Sequence, residues 1–175
     1  MKIHLCTDYA IRVLRFLHEN KGKSKVNGKN ELYTATQISQ TVGISYPIFL
    51  KIANSLLKRG LLKTEQGRHG GYKIGKPGHK ISVYEVLVAM EGEMQLAHCL
   101  GEKDDPCTNT AGVSREHCKF HRVLYTLQHE VIIPVLSKVT ISDLAHAGKD
   151  GEASDKELQE LQNYYNRDLV AALFS

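Results

Sequence analysis

Residues 34–77 spell two short helices, a glycine turn and a glycine-tipped hairpin, and few folds accept that succession. Thr34-Ala35-Thr36-Gln37 has the capping-box form, in which a hydroxyl and a glutamine side chain satisfy free amides reciprocally. Ile38 and Val42 carry the inner face of a first helix, and Gly43 turns the chain. Ser45 stands where a second helix needs its cap, Pro47 falls in its first turn, and Gly60 lies just past its end. Helical spacing puts Ile48, Phe49, Ile52, Ala53 and Leu56 inward and leaves Ser45, Tyr46, Lys51, Asn54 and Lys58 outward. Residues 61–65 read as a strand, Gln66-Gly67-Arg68-His69-Gly70-Gly71 as a turn, and 72–75 as the returning strand.

Two short helices joined by a tight glycine turn make a helix-turn-helix, whose second helix enters a DNA major groove. A hairpin directly after it is a wing. Its tip offers Arg68 and His69, and an arginine there can enter a narrow minor groove or hold a phosphate. Charge points the same way. Although the whole chain carries a formal net charge of only +4, residues 44–80 set eight bases (Lys51, Lys58, Arg59, Lys63, Arg68, Lys73, Lys76 and Lys80) against one acid, Glu65. Such a block implies a polyanion partner. On this reading Ser45, Tyr46 and Asn54 meet base edges of double-stranded DNA, while Lys51, Lys58 and Arg68 mainly hold phosphates.

Residues 7–20 read as a preceding helix, with Ala10, Val13, Leu14 and Leu17 on one face and Asp8 in the first turn, where a carboxylate suits the helix dipole. Residues 21–30 (KGKSKVNGKN) hold a single apolar side chain and read as a flexible loop. Ser82 opens a helix to about Met90, with Val83, Val86, Leu87 and Met90 inward. The longest periodic segment spans 118–138, where Phe120, Val123, Leu124, Leu127, Val131 and Val135, with Val139 just beyond, form one stripe that Pro134 should kink or break. So broad a stripe needs a covering surface. A second copy is the economical one, since paired DNA half-sites require a two-fold homodimer. Residues 147–155 lose periodicity and read as a linker, and 156–174 carry Leu158, Leu161, Tyr165, Leu169 and Leu173 at helical spacing.

The expected architecture is mainly α with a small β-wing. It comprises a winged helix-turn-helix domain over 1–90, a cysteine-bearing segment over 91–118, a dimerisation helix region over 119–146, and a linker with C-terminal helix over 147–175. No apolar run of about 18 residues occurs, so no membrane span is expected. Asp8 and Arg12 follow the opening residues too closely for a signal peptide's apolar stretch, so a cytoplasmic protein is expected. Four cysteines there read as reduced, metal-bound or reactive rather than disulfide-paired.

Three of those cysteines, Cys99, Cys107 and Cys118, sit in loop chemistry rich in Gly, Asp, Asn and Thr, and His121 follows the last by three positions. Thiolates with an imidazole select iron–sulfur clusters, zinc or copper(I). A Cys₃His set also serves structural zinc, but zinc sites bring two ligands close as C-x₂₋₄-C, and here only Cys118 and His121 are close. His98 and His117 flank the cysteines as substitutes for His121. A metal-free loop sensing oxidants through thiolates is a further use. An enzyme with Cys118 as nucleophile and His121 as base lacks any legible orienting group. Cys6 reads as a small buried residue.

With wing and cysteine segment both read, the chain resembles the winged-helix family of IscR, NsrR and CymR, dimeric bacterial transcription regulators. The resemblance covers roughly residues 1–144. Thr7-Asp8-Tyr9-Ala10-Ile11-Arg12 resembles the opening of the nitric-oxide-sensing NsrR branch. Gly67-Arg68-His69-Gly70-Gly71-Tyr72 with Gly75-Lys76-Pro77 looks like the family's wing signature, and Thr140-Ile141-Ser142-Asp143-Leu144 resembles the segment closing the dimerisation helix. The resemblance implies a homodimer on a DNA operator, switched by an iron–sulfur cluster on Cys99, Cys107 and Cys118. The family's usual five-residue intervals are here seven and ten. It implies two candidate fourth ligands. His121 has the spacing at which IscR-like proteins supply a histidine to a [2Fe-2S] cluster. Asp8 has the position at which NsrR-like proteins supply an aspartate, from the other subunit, to a [4Fe-4S] cluster. CymR-like members work through a partner protein without any cluster.

Overall fold

The computed structural model describes residues 3–21, 25–26, 29–30, 32–101 and 117–146; Cys107, the linker and the C-terminal helix read from the sequence lie outside the described residues. In chain order the elements are α1 (Leu5–Glu19), β1 (Lys25–Val26), β2 (Lys29–Asn30), α2 (Ala35–Val42), α3 (Tyr46–Lys58), β3 (Leu62–Glu65), β4 (Gly71–Ile74), α4 (Val83–Glu91), α5 (Lys119–Thr126), α6 (Ile133–Lys138) and α7 (Ile141–His146). They divide into two compact units, one holding Lys2–Gly92 with Ser137–Lys149 and the other Glu93–Leu136. No helix among the described residues is long and apolar enough to cross a membrane.

The first unit closes around the inward faces that the apolar spacing prescribes. Ala10, Val13, Leu14 and Leu17 of α1 meet Ile38 of α2, Phe49, Ile52, Ala53 and Leu56 of α3, and Val86 of α4 in one buried cluster. The capping box at α2 forms: the Thr34 hydroxyl accepts from the Gln37 N–H, and the Thr34 N–H donates to Gln37 Oε1 at 2.9 Å. Gly43 takes φ +74°, the left-handed region that favours glycine, and lets the Ile44 N–H donate back to the Ser39 carbonyl at 2.9 Å. Two expectations at α3 change. Ser45 occupies the cap position, but its side chain makes no capping hydrogen bond. Ile48 is exposed rather than inward, because Phe49, Ile52, Ala53 and Leu56 already fill the arc that faces the core.

β3 and β4 pair antiparallel, with Leu62 opposite Ile74 and Thr64 opposite Tyr72. Tyr33 adds a third rung on the far side of β4, exchanging both backbone hydrogen bonds with Tyr72 at 2.9 and 2.8 Å. The Tyr72 ring meets Phe49 edge-on, centroids 5.1 Å apart, and the Tyr33 ring meets Phe16 at 5.0 Å. The wing is therefore locked to both α1 and α3. Within the stretch read as a loop, the described residues pair antiparallel, Lys25 with Asn30 and Val26 with Lys29. The Asn27-Gly28 dipeptide between them is a hairpin signal that the surrounding lysines obscure. After α6 the chain rejoins the first unit: the Val83 N–H donates to the Val139 carbonyl and the Ile141 N–H to the Ile81 carbonyl, both at 2.9 Å, and Ile141 is fully buried.

In the second unit, helical backbone runs from α5 into α6 without the break that Pro134 could impose. The intervening Leu127–Ile132 widens into a π-helix. Proline lacks an N–H, and its ring crowds the carbonyl four residues earlier, here that of Glu130. A wider turn just upstream accommodates both defects. Along the apolar stripe, Phe120 and Val123 of α5 stand exposed, while Leu124, Leu127, Val131 and Val135 are half-buried.

Gly71 is required by close approach: a Cβ there would lie 2.7 Å from the Tyr33 carbonyl oxygen, which is fixed backbone. Gly71→Ala should cost about 1–3 kcal/mol. Urea unfolding should show a lower midpoint, and hydrogen exchange should show a less protected Tyr72 amide.

Candidate DNA-reading face and cysteine-bearing helix start

The outward side of α3 carries Tyr46, Pro47, Ile48, Lys51, Asn54 and Lys58, all exposed, with Ser45 at its head. Because the Ser45 hydroxyl is not spent on capping, it is available to a ligand. Arg68 and His69 are exposed at the tip of the turn between β3 and β4. Not every cation of the basic block is available. Lys73 pairs with Glu65 at 2.6 Å, and Lys76 pairs with Glu85. Lys51, Lys58, Arg59, Lys63, Arg68 and Lys80 make no ion pair among the described residues. The helix thus presents a polar and apolar outward side, and an exposed tip arginine and several open cations accompany it, a composition suited to a groove and its phosphates.

In the second unit, Cys118 stands at the N-cap of α5, and its carbonyl accepts the Arg122 N–H at 3.1 Å. His121 follows on the first turn. Its Nδ1 is buried with no hydrogen-bond partner among the described residues. Its ring lies 6.2 Å from that of Tyr125, which in turn stacks on His129 at 4.4 Å. Cys99 sits in a 3₁₀ turn, His98–Leu100, that packs against α5. Cys99 and Cys118 are both free, half-buried thiols. The donor types, a buried imidazole nitrogen without a hydrogen bond and two free thiols, fit an iron–sulfur or zinc centre in kind. Among the described residues no three donors gather as a complete set, and Cys107 lies outside them.

The sequence reading missed Gln128. It is 3 % exposed, accepts the Leu96 N–H at 2.8 Å through Oε1, and lies 3.2 Å from His129 Nε2 through its own Nε2. It ties the approach to Cys99 onto the helix that begins at Cys118. An amide one position beyond Leu127, on the way to Pro134, was the available signal.

Asp8 belongs to the first unit and is engaged in an i,i+4 pair with Arg12 at 2.9 Å, both side chains about half exposed. Glu91, at the end of α4, accepts the His4 N–H at 2.9 Å and the hydroxyl of buried Thr7, and so fastens the start of α1. Partial burial pushes its carboxyl up, but the Thr7 and His4 hydrogen bonds and the His4 charge together outweigh this and leave it below the usual carboxylate value.

Fold and surface together define a winged helix-turn-helix transcription regulator. The profile of the Rrf2 family, described as an iron-dependent transcriptional regulator, matches residues 5–147, and the chain belongs to that family. It is 28 % identical over 147 residues to the HTH-type transcriptional regulator NsrR of Shouchella clausii, covering 82 % of this chain and 88 % of that protein. It is likewise 28 % identical over 147 residues to the HTH-type transcriptional repressor NsrR of Streptomyces coelicolor, covering 84 % and 90 %. These relatives are named as regulators, not enzymes. Among solved structures, the fold matches CymR, the global cysteine regulator of B. subtilis, with TM-score 0.58 at 20 % identity over 83 % of this chain and 97 % of that one. It also matches T. potens IscR with TM-score 0.55 at 19 % identity over 85 % and 89 %.

Glu91 generates a pH dependence. A carboxyl depressed in the fold adds stability above its unfolded value, near 4.5, and loses it as pH falls through the lower folded value. Wild type should therefore lose more thermal stability between about pH 5 and pH 3 than Glu91→Gln, whose melting curve lacks that contribution.

Proposed function

We propose that this chain is a homodimeric regulator of a double-stranded DNA operator, in the cytoplasm, whose grip is set by an iron–sulfur cluster on Cys99, Cys107, Cys118 and His121. Ser45, Tyr46 and Asn54 meet base edges. Lys51, Lys58 and Arg68 hold phosphates, with His69 beside Arg68 at the wing tip. The observation that carries the cluster reading is the buried His121 Nδ1, a nitrogen that otherwise forfeits its hydrogen bond at a cost of about 1–3 kcal/mol. Asp8 is the weaker candidate for the fourth position, since Arg12 already holds its carboxylate. Two further features support the reading: the family is described as iron-dependent, and the Cys99 turn packs on the helix that starts at Cys118. The exposed Phe120, Val123 and Tyr125 on α5 support a second copy as the covering surface.

When bound, the cluster supplies sensitivity to redox state, nitric oxide or iron–sulfur supply. The chain's own part is to hold the Cys99 turn and the α5 start in one arrangement when liganded and to release them otherwise. A coupling of about 1–3 kcal/mol between that arrangement and the spacing of the paired reading faces changes operator occupancy about 5- to 150-fold.

Anaerobic reconstitution with iron and sulfide should give a brown protein absorbing near about 400 nm. Cys118→Ala should abolish the band, His121→Ala should shift or weaken it, and Asp8→Ala should leave it. A colourless wild type that takes up zinc instead would overturn the cluster. Separately, Arg68→Ala should weaken duplex binding and reduce the slope of log affinity against log salt by about 0.9, one phosphate contact. Unchanged affinity and slope would remove the wing tip from the interface.

A further inference from the structure

Between Ala35 and Ile74 the large apolar side chains left exposed are Tyr46, at 49 %, and Ile48, at 37 %. Neither is needed for the core, which Phe49, Ile52, Ala53 and Leu56 supply from the same helix. Both lie in the first turn of α3, and the N-terminal residues of a recognition helix are the ones that meet base edges. At about 100° per residue they fall on opposite flanks of a front centred on Pro47, Lys51 and Asn54. That first turn, Ser45 to Ile48, contains no arginine or lysine, so it lacks the side chains that most often read guanine. An aliphatic side chain has one apolar group to meet on a major-groove base edge, the thymine 5-methyl.

We infer that Ile48 is a specificity-determining residue that selects thymine through its 5-methyl, so that the half-site carries an A·T pair where the first turn of α3 enters the groove. The inference rests on the DNA-reading role proposed above and goes beyond it by naming the base class and the residue that reads it. The surroundings favour a duplex over a protein as the cover for this side chain. Lys51 and Lys58 lie exposed on the same helix without ion pairs among the described residues, and Lys63 follows on β3. A second copy laid on this face would bring like charges together, whereas a polyanion meets them with opposite charge. Burying the Ile48 side chain against a methyl group gains roughly the transfer free energy of one such group, about fourfold in affinity.

The test begins with the full chain, purified anaerobically, selecting from a random-sequence duplex pool. The enriched duplex is then remade with deoxyuridine in place of thymidine at one position at a time, which deletes only the 5-methyl. Wild type should lose about fourfold in affinity at one position in each half-site. Ile48→Ala should bind the thymine duplex more weakly and show no difference between thymine and uracil there, while Ile48→Val should retain part of the difference. Because both variants are read as a thymine-to-uracil ratio, a change in overall stability cancels. The inference is overturned if wild type ignores every methyl, if it enriches G·C pairs where the first turn reads, or if Ile48→Ala keeps the wild-type ratio. It is also overturned if Ile48→Ala alters sedimentation instead, which would make the side chain part of an interface between copies. Failure to enrich any sequence would overturn the DNA-reading role itself, an outcome distinct from a sequence bound without regard to its methyls.

Discussion

Tyr72 holds the winged head together. Its backbone N–H and carbonyl bond Tyr33 on one edge of β4, its neighbour across the hairpin is Thr64, and its ring rests edge-on against Phe49 in the heart of α3. Those contacts fix the angle at which the wing leaves α3. Tyr33 passes the constraint onward through Phe16 to α1. A wing attached only by its own two four-residue strands would be marginal, since an isolated hairpin barely survives in water. With the third rung and the aromatic contacts, Arg68 is carried on a platform whose position α3 sets.

Much of this head was legible in the residues because its signals are local. The capping box at Thr34 and Gln37, the left-handed Gly43 and the glycine-tipped wing each follow from chemistry within a few positions. What escaped depended on competition or on distance. Ile48 is apolar, but the core arc was already full, so hydrophobicity alone gave it the wrong direction. The pairing of Lys25 with Asn30 went unread because lysine and glycine content argued for a loop, although Asn27-Gly28 argued against it. At the second site, Cys118 and His121 could be paired from their spacing alone. The burial of Gln128 could not, because an amide's partners are set by tertiary packing, here a backbone N–H thirty-two positions away.

The helix of the second unit shows how one residue can set a register. Pro134 takes a hydrogen bond out of the helical ladder, and the backbone answers by widening ahead of it rather than stopping. Each residue downstream of the wide turn is thereby rotated relative to an ideal helix. The stripe that reads as continuous in the sequence is unevenly covered, with Phe120 and Val123 exposed and Leu124, Leu127, Val131 and Val135 half-buried. Gln128 lies inside the widened stretch, where its side chain reaches the Leu96 backbone.

Two ion pairs, one within the wing and one from its end to α4, carry a consequence for target search. Lys73 and Lys76 give their charge to Glu65 and Glu85, so fewer cations remain to hold a duplex of arbitrary sequence. Indiscriminate attraction to nucleic acid grows steeply with each phosphate neutralised. A head that quenches some of its own lysines dwells more briefly on irrelevant chromosome and returns sooner to solution. The hold on such sequences is then weaker than the lysine count of residues 44–80 implies.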